Sequence, residues 1–295
     1  MGGKQIDWDS VARPADKPLI TIITSTFNAA KDLHWTGDSI RRQTYPYIQW
    51  IIADGASTDD TVSVVQQYDD IVDLWFSEPD QGIYDAWNKA LKYAKGEWVQ
   101  FIGAGDELAD SDTLEKIAPV LARAYPEHEL VYGKVLRITE LQRRPFEVVG
   151  EPWHVMKKKW SLFRLAVPFH PAVFHHKSLF KVRNPFDLRF TIASDCHFLL
   201  KSIKNKDPFY FDLHIDKMPL GGVSGEFFSS ITIAKENKII SSELGYVLPF
   251  WHVFFEEILL LFKKIITFMF SEKTALKIAD GFRLICGKKQ KWSIK

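Results

Sequence analysis

Residues 98–107 read Trp-Val-Gln-Phe-Ile-Gly-Ala-Gly-Asp-Glu, an apolar run followed by three small residues and two adjacent carboxylates. The apolar run predicts a buried strand, and small residues let the phosphates of a ligand approach the backbone closely. A carboxylate just beyond a parallel strand lies where open α/β sheets bind ligands, and its oxygens suit Mg²⁺ or Mn²⁺. Asp106, with help from Glu107, is therefore a candidate metal ligand. The same pattern is also typical of a polar turn before a helix.

Strand and helix patterns alternate through the first hundred residues. Runs rich in β-branched residues predict buried strands at 19–24, 48–53, 72–76 and 98–102. Residues with helical spacing fill the intervals, among them a helix at 59–68 capped by Ser57 or Thr58. This alternation predicts an α/β fold, with a mostly parallel, doubly wound sheet flanked by helices.

The later part of the chain continues with mixed elements. We expect helices at 113–124 and 192–204 and strands at 130–139, 167–175 and 209–215. The predicted organisation has four parts: an N-terminal arm at 1–17, two halves of one domain at 18–110 and 111–228, and a basic helical region at 229–295.

Charge and cysteine usage exclude some function classes. The formal net charge of +1 leaves no basic field of the kind that attracts nucleic acid, so no nucleic-acid partner is expected. The two cysteines form no disulfide framework, which favours a reducing compartment, the cytoplasm.

The C-terminal region has a different character. Residues 256–295 contain nine Lys and Arg against four Asp and Glu. Between Trp251 and Phe270, charged residues occupy a narrow stripe of a helix whose remaining face is apolar and aromatic. No stretch of 18 uncharged apolar residues exists there, so the pattern favours a helix in the membrane interface over a spanning one. We expect residues 249–295 to hold the protein on the inner face of the cytoplasmic membrane. The alternative is a helix packed on the core or on a second subunit.

Three further polar loops follow the first three predicted strands. They read Ser25-Thr26-Phe27-Asn28, Asp54-Gly55-Ala56-Ser57-Thr58-Asp59-Asp60 and Glu78-Pro79-Asp80-Gln81-Gly82-Ile83-Tyr84-Asp85, the last leading into Asn88. Because such loops share one edge of the sheet, they can form a nucleotide site. Phe27 offers an aromatic surface for the base and Asp54 a carboxylate for its N–H or for the ribose, although Phe27 could be core and Asp54 a helix cap. The candidates for binding such a nucleotide ligand are Ser25, Phe27, Asn28, Asp54, Asp80, Gly82, Asn88 and Gly105.

These segments, in this order, resemble glycosyltransferase family 2, the inverting enzymes with the GT-A fold, and most of all the branch that builds bacterial surface polysaccharides. The resemblance covers residues 18 to about 225, and it implies that residues 18–110 are the donor-binding half and residues 111–228 the acceptor half of one domain. It implies a nucleotide-sugar donor, with UDP favoured, a glycan or polyprenyl-linked acceptor, a divalent metal and a single carboxylate base. It places Ser25 and Phe27 in the base pocket, Asp54 on the uracil or ribose, and the metal on Asp106.

The resemblance also implies a catalytic base at the start of a helix in the acceptor half. The segment Phe190-Thr191-Ile192-Ala193-Ser194-Asp195-Cys196-His197 fits this description, so Asp195 is the expected base. A carboxylate at a helix N-terminus is favoured in its ionised form and can accept the proton of the acceptor hydroxyl. The alternative is that Asp195 is an N-cap residue.

Two departures from the family pattern concern metal binding. The metal motif has Gly105 before Asp106 where the family has another acid, and the acid pair after the second strand reads Asp54-Gly55. Glu107 or His170 is a candidate to complete the metal coordination. The segments Phe169-His170-Pro171 and Gly221-Gly222-Val223-Ser224-Gly225 are expected beside the donor phosphates and the acceptor.

Competing functions lack their motifs. No glycine lies between Thr24 and Lys31, where a dinucleotide oxidoreductase needs G-x-G-x-x-G, and no P-loop motif occurs. A processive synthase of the same superfamily would carry Gln-x-x-Arg-Trp and spanning helices. The remaining alternative is a non-catalytic nucleotide-sugar-binding scaffold of a membrane assembly complex, for which Gly55 and Gly105 are the only support.

Overall fold

The computed structural model describes residues 1–160, 166–222, 229–246, 258, 261–262, 265–266 and 268–285. The strands are β1 (Ile20–Thr26), β2 (Ile48–Asp54), β3 (Leu74–Ser77), β4 (Trp98–Phe101), β5 (Glu107–Leu108), β6 (Leu130–Ile138), β7 (Pro145–Val149), β8 (Val173–His176) and β9 (Phe209–Pro219). The α-helices are α1 (Leu33–Arg41), α2 (Thr61–Gln66), α3 (Ile83–Ala90), α4 (Thr113–Ala124), α5 (Trp153–Trp160), α6 (Ser194–Ile203), α7 (Ser229–Leu244) and α8 (Glu272–Ile285).

The strands form one mixed sheet in the order β3-β2-β1-β4-β8-β6-β9-β5, with β7 beside β6. The first four strands in the chain are parallel, as the alternating pattern predicts. Beyond β4 the sheet contains antiparallel pairs: β8 pairs with β4 and with β6, and β5 pairs with β9. The predicted strand at 167–175 begins only at Val173, because Pro168 and Pro171 have no N–H to donate to a ladder.

The parallel strands are buried on both faces, which explains their uninterrupted apolar runs. One face of β1 and β2 carries Ile20, Ile22 and Trp50, in a cluster with residues of α1, α2 and α4. The opposite face carries Ile23 and Ile51, packed with aromatic residues of α3 and α6. Helices therefore cover both sides of the sheet, and the strand ends are left for the loops.

The N-terminal arm, which carries no strand pattern in the sequence, is paired with the edge of β3. The Gly2 N–H donates to the Trp75 carbonyl, and the Trp8 indole N–H donates to Asp73 Oδ1 at 2.9 Å. Trp8 is buried. The arm thus covers an edge strand that would otherwise present unpaired backbone groups.

The chain divides into two compact units. The first comprises Met1–Arg137, Glu147–Trp153 and Val167–Met218, and the second comprises Ile138–Phe146, His154–Ala166 and Pro219–Lys295. The division at residues 110 and 228 that the sequence suggests stays a prediction.

In the second unit, Ile266 packs with Ala275 and Ala279 of α8, and Phe262 lies against this small cluster. Within the residues that the structure describes, we find no helix that combines the length and apolar character needed to cross a bilayer.

Candidate active site

The carboxyl ends of the parallel strands meet at one edge of the sheet, all within the first unit. The register pairs Thr26 of β1 with Asp54 of β2, and Asp54 with Ser77 of β3. At the end of β4, Phe101 pairs with Ile23 of β1. Since these strands end side by side, the structure brings together the four polar loops predicted to form the donor site.

Asp54 joins three of these loops through its carboxylate. Oδ1 accepts hydrogen bonds from the hydroxyls of Thr26 and Ser57, and Oδ2 accepts from the Ser77 hydroxyl at 2.6 Å and the Ser57 N–H at 2.9 Å. Four donors match the acceptor capacity of a carboxylate, and the residue is 2% exposed. Asp54 therefore orders the loops, and its direct contact with the base or ribose stays a prediction.

Phe27 and Asn28 form the tip of the loop after β1. Asn28 has a positive φ of 50°, its N–H donates to the Ser57 hydroxyl, and its Oδ1 accepts from the Thr58 N–H at 2.9 Å. The Phe27 side chain is exposed, at 66%. The loop is thus tied to the loop after β2, and it presents an aromatic ring at the strand-end edge.

The same contacts correct the prediction that Ser57 or Thr58 caps the second helix. Helix α2 begins at Thr61, its N-cap residue Asp60 makes no side-chain capping bond, and the Thr61 N–H donates to Asp59 Oδ1 at 3.0 Å. Ser57 instead bonds to Asp54 and Asn28, and Thr58 bonds to Asn28, because the adjacent strand ends bring these partners within reach.

Gly55 allows Asp80 to lie against the loop after β2. A Cβ atom on Gly55 would lie 2.6 Å from Asp80 Oδ2, closer than atoms pack. Asp80 Oδ1 accepts the Gly82 N–H at 2.8 Å, and Gly82 itself has a positive φ of 105°. A second acid at position 55 would therefore require the Asp80 carboxylate to move.

The turn that carries Asp106 is anchored to α1 by Thr36, a residue to which the sequence pattern assigns no role. The Thr36 hydroxyl donates to the Asp106 carbonyl at 2.7 Å and accepts the Gly105 N–H at 2.9 Å. Gly105 has a positive φ of 97°, and Asp106 Oδ2 accepts the Gly103 N–H at 3.0 Å. These bonds fix the carboxylate at the end of β4.

The chemistry of this turn fits a divalent cation shared with a substrate. Mg²⁺ and similar ions in phosphate sites are held by one or two carboxylates together with phosphate oxygens, and Asp106 supplies one carboxylate. Across the described ranges, His, Cys, Asp and Glu form no group of three able to hold a metal without such a substrate. The Glu107 carboxylate lies 3.7 Å from the Arg42 guanidinium, so its help in coordination stays a prediction.

His170 lies in an aromatic enclosure beside the donor loops. Its ring stacks on Trp87, with centroids 4.9 Å apart, and the Trp87 indole N–H donates to the Ser25 hydroxyl at 3.2 Å. Burial, with His175 beside it, lowers the pKa of His170 well below its usual value, so the imidazole is neutral. Its buried Nε2 has no hydrogen-bond partner in the described part of the chain. A neutral imidazole can bind a metal, but the surrounding rings give it a packing role, and coordination stays a prediction.

Asp195 lies in the first turn of α6, as predicted, where the helix dipole favours the ionised carboxylate. Its Oδ1 accepts the Cys196 N–H at 2.7 Å and lies 3.1 Å from the Tyr84 hydroxyl. Tyr84 belongs to the first turn of α3, directly after the loop that carries Asp80 and Gly82. The structure therefore connects the candidate base to a donor loop far away in the sequence.

Asn88 is predicted to bind the donor, but its side-chain amide is hydrogen-bonded to the backbone of Phe186. Its Nδ2 donates to the Phe186 carbonyl at 2.8 Å, and its Oδ1 accepts the Phe186 N–H at 3.1 Å. This two-point bond holds the segment before α6 against α3. The geometry assigns Asn88 a positioning role, and donor binding stays a prediction.

The chain is similar to known glycosyltransferases. The family model for glycosyl transferase family 2 matches residues 21–171. A PGL/p-HBAD biosynthesis glycosyltransferase of Mycobacterium tuberculosis is 31% identical over 191 residues, covering 64% of this chain and 71% of that protein. The putative teichuronic acid biosynthesis glycosyltransferase TuaG of Bacillus subtilis is 37% identical over 103 residues, covering 34% of this chain and 40% of TuaG.

Solved structures share the fold at lower identity. The mannosyltransferase PcManGT of Pyrobaculum calidifontis, in complex with GDP-Man and Mn²⁺, has a TM-score of 0.59 at 19% identity, with 93% of this chain and 83% of that chain covered. S. aureus TarS 1–349 in complex with UDP has a TM-score of 0.54 at 20% identity, with 74% and 65% covered, so this chain spans slightly less than two thirds of it. These likenesses confirm the predicted α/β architecture, the GT-A fold.

Proposed function

The chain belongs to glycosyl transferase family 2, and within that family we propose that it is a non-processive, inverting transferase. It moves a hexose-type sugar from a nucleotide-sugar donor to a hydroxyl of a glycan or lipid-linked acceptor. One observation carries the proposal: two carboxylates, Asp106 and Asp195, are both joined to the strand-end loops, Asp106 through its own turn and Asp195 through Tyr84.

We propose the following roles for the residues of the site. The donor nucleotide lies along the loops after β1 and β2, with its base on Phe27 and its diphosphate at the turn that carries Asp106. Asp106 would hold Mn²⁺ or Mg²⁺, which would offset the negative charge of the diphosphate leaving group. The Asp195 carboxylate accepts the proton of the acceptor hydroxyl as its oxygen attacks the anomeric carbon. The nucleoside diphosphate leaves from the opposite face, and the configuration is inverted.

Relatives support the substrate classes. One is named for PGL/p-HBAD biosynthesis and another for teichuronic acid biosynthesis, which favours an acceptor in polysaccharide, O-antigen or capsule assembly. Three of the structural neighbours are complexes with UDP, UDP-GlcNAc and GDP-Man, respectively. We favour a UDP-sugar because the family most often uses one.

A panel of nucleotide sugars tests the function. We expect one donor to raise the melting temperature, and to raise it further with Mn²⁺, because a ligand at 100 times its Kd stabilises the native state by about 2.7 kcal/mol. The same donor should then release its nucleoside diphosphate by slow hydrolysis or by transfer. Binding without any turnover would favour the scaffold alternative, and no thermal shift with any donor would contradict both.

We also propose peripheral attachment to the cytoplasmic membrane through residues 249–295. Most of the predicted helix from Trp251 to Phe270 lies outside the described residues. Of those described, Ile258, Leu261, Ile265 and Phe268 have spacings of three and four, which place them on one helix face. All four are exposed, Phe268 at 92%, whereas Phe262 and Ile266 pack against α8. An exposed apolar face beside an excess of basic residues favours an anionic lipid surface.

Vesicle binding tests this attachment. The double substitution Leu261→Glu with Phe268→Glu should weaken binding to vesicles containing phosphatidylglycerol at least about tenfold, since burying each such side chain contributes about 1.5–3 kcal/mol. Leu141→Glu, at a leucine that is 83% exposed, is the matched control and should bind as the wild type does. If the double variant binds vesicles normally but loses self-association, the face is a subunit interface and the membrane proposal is wrong.

A further inference from the structure

The hydroxyl of Tyr84 lies between two acceptors at the start of α6. It is 3.1 Å from Asp195 Oδ1 and 2.5 Å from the Ile192 carbonyl oxygen. Tyr84 is 6% exposed, and its hydroxyl carries one proton, which these two acceptors share, the Ile192 carbonyl being the nearer. An ionised carboxylate is a stronger hydrogen-bond acceptor than a neutral carbonyl, so ionisation of Asp195 favours donation of the shared proton to its carboxylate.

The ring of Tyr84 is held from two sides. It packs edge-to-face on Trp87, with centroids 5.3 Å apart, and stacks on Phe186, with centroids 6.0 Å apart. Phe186 is itself fixed by the two hydrogen bonds of Asn88. Aromatic contacts of this kind restrict the ring to one orientation. The packing therefore fixes the position of the hydroxyl beside the Asp195 carboxylate and the Ile192 carbonyl.

From this geometry we propose that Tyr84 is a positioning residue for the catalytic base, an inference that rests on the proposed function. The Tyr84 hydroxyl holds the Asp195 carboxylate in one orientation and favours its ionised form. Through the Ile192 carbonyl it also fixes the turn that leads into α6. Because Tyr84 follows the loop of Asp80 and Gly82, it links the donor side of the site to the base.

Tyr84→Phe removes the hydroxyl and keeps the ring packing. We expect kcat to fall about tenfold, the effect of losing one hydrogen bond to a charged group, while the donor KM changes less than about twofold. Without the Tyr84 hydroxyl as a hydrogen-bond partner, the Asp195 carboxylate becomes easier to protonate. The acid limb of the pH–rate profile should therefore move up by about one pH unit. A residue that only stabilised the fold would lower the melting temperature without moving this limb.

Tyr45→Phe is the matched control. The Tyr45 hydroxyl also makes a buried hydrogen bond, to the Pro18 carbonyl, which lies before β1 at the opposite edge of the sheet. Loss of this hydrogen bond in Tyr45→Phe should affect only the melting temperature. The kcat and the pH–rate profile of the variant should equal those of the wild type. A shift of the acid limb in both variants would overturn the role of Tyr84.

A double-variant cycle separates this role from the proposed function. Tyr84→Phe should cause no further loss in the Asp195→Asn background, since a residue that acts through Asp195 has no effect without it. Two outcomes would overturn the role of Tyr84 and leave the base assignment intact. One is that the losses in the two variants are additive. The other is that Tyr84→Phe has wild-type kinetics while Asp195→Asn is nearly inactive. Full activity of Asp195→Asn would remove the base assignment and with it this role. Absence of transfer by the wild type would overturn the proposed function itself.

Discussion

We expect Asp106→Asn to lower metal-dependent transfer by about 10²–10³-fold, because a cation at a leaving diphosphate stabilises the transition state by several kcal/mol. The melting temperature without ligand should change little, since an asparagine oxygen can still accept the Gly103 N–H that Asp106 Oδ2 accepts now. The measurements are initial rates at saturating Mn²⁺ and the melting temperature with the nucleotide sugar. In the variant, Mn²⁺ should no longer add to the stabilisation by the donor.

Glu107→Gln is the control for this prediction. Its carboxylate pairs with Arg42, so its replacement should leave the effect of Mn²⁺ nearly intact if Asp106 alone holds the cation. A similar loss in Glu107→Gln would show that both carboxylates coordinate. Full activity of Asp106→Asn, or of the wild type in a chelator, would contradict the metal assignment.

The second large effect is expected at the base. Asp195→Asn should reduce turnover by about 10²–10⁴-fold, the usual contribution of a general base, because the amide cannot take the proton of the acceptor hydroxyl. Donor affinity, measured by titration calorimetry, should be nearly unchanged. A parallel fall of donor affinity and turnover would instead place Asp195 in the donor site or in the fold.

Asp54→Asn should show the opposite pattern to Asp195→Asn, with donor affinity reduced before turnover. The two Asp54 oxygens accept four hydrogen bonds from three loops, and an amide nitrogen cannot accept those that fall on it. The loops after β1 and β2 should loosen, so nucleotide binding should weaken before the rate at saturating donor does. Equal donor affinity in Asp54→Asn and the wild type would show that these loops do not hold the nucleotide.

Much of the donor half can be predicted from the sequence because its strands are buried on both sides. Continuous apolar runs such as Leu19–Thr24 identify the parallel strands, and each run is followed by polar and small residues that must lie at the same sheet edge. The candidate metal ligand and the predicted loops follow directly from this rule. The start of α6 is similarly predictable, and Asp195 lies in its first turn as expected.

The later strands show where local pattern is insufficient. An alternating or apolar run predicts a strand, but it does not state the direction in which that strand enters the sheet. The antiparallel pairing of β8 with β4 and of β5 with β9 depends on how the chain returns between them. The arm at residues 1–17 is a further example, because its residues carry no strand pattern. Gly2 is held by the backbone of Trp75 in β3, and Trp8 by the carboxylate of Asp73 just before β3.

What the sequence determined by itself is therefore the family, the parallel core, the strand-end loops that carry Asp54 and Asp106, and the helix start that carries Asp195. These features arise from periodicity and from short motifs, which are local properties of a chain. Only the tertiary structure decided which partners each side chain meets: Thr36 on the turn of Asp106, Asp80 in the space beside Gly55, and Tyr84 on Asp195. The reason is physical, since contacts between residues that are distant along the chain depend on packing that no local pattern records.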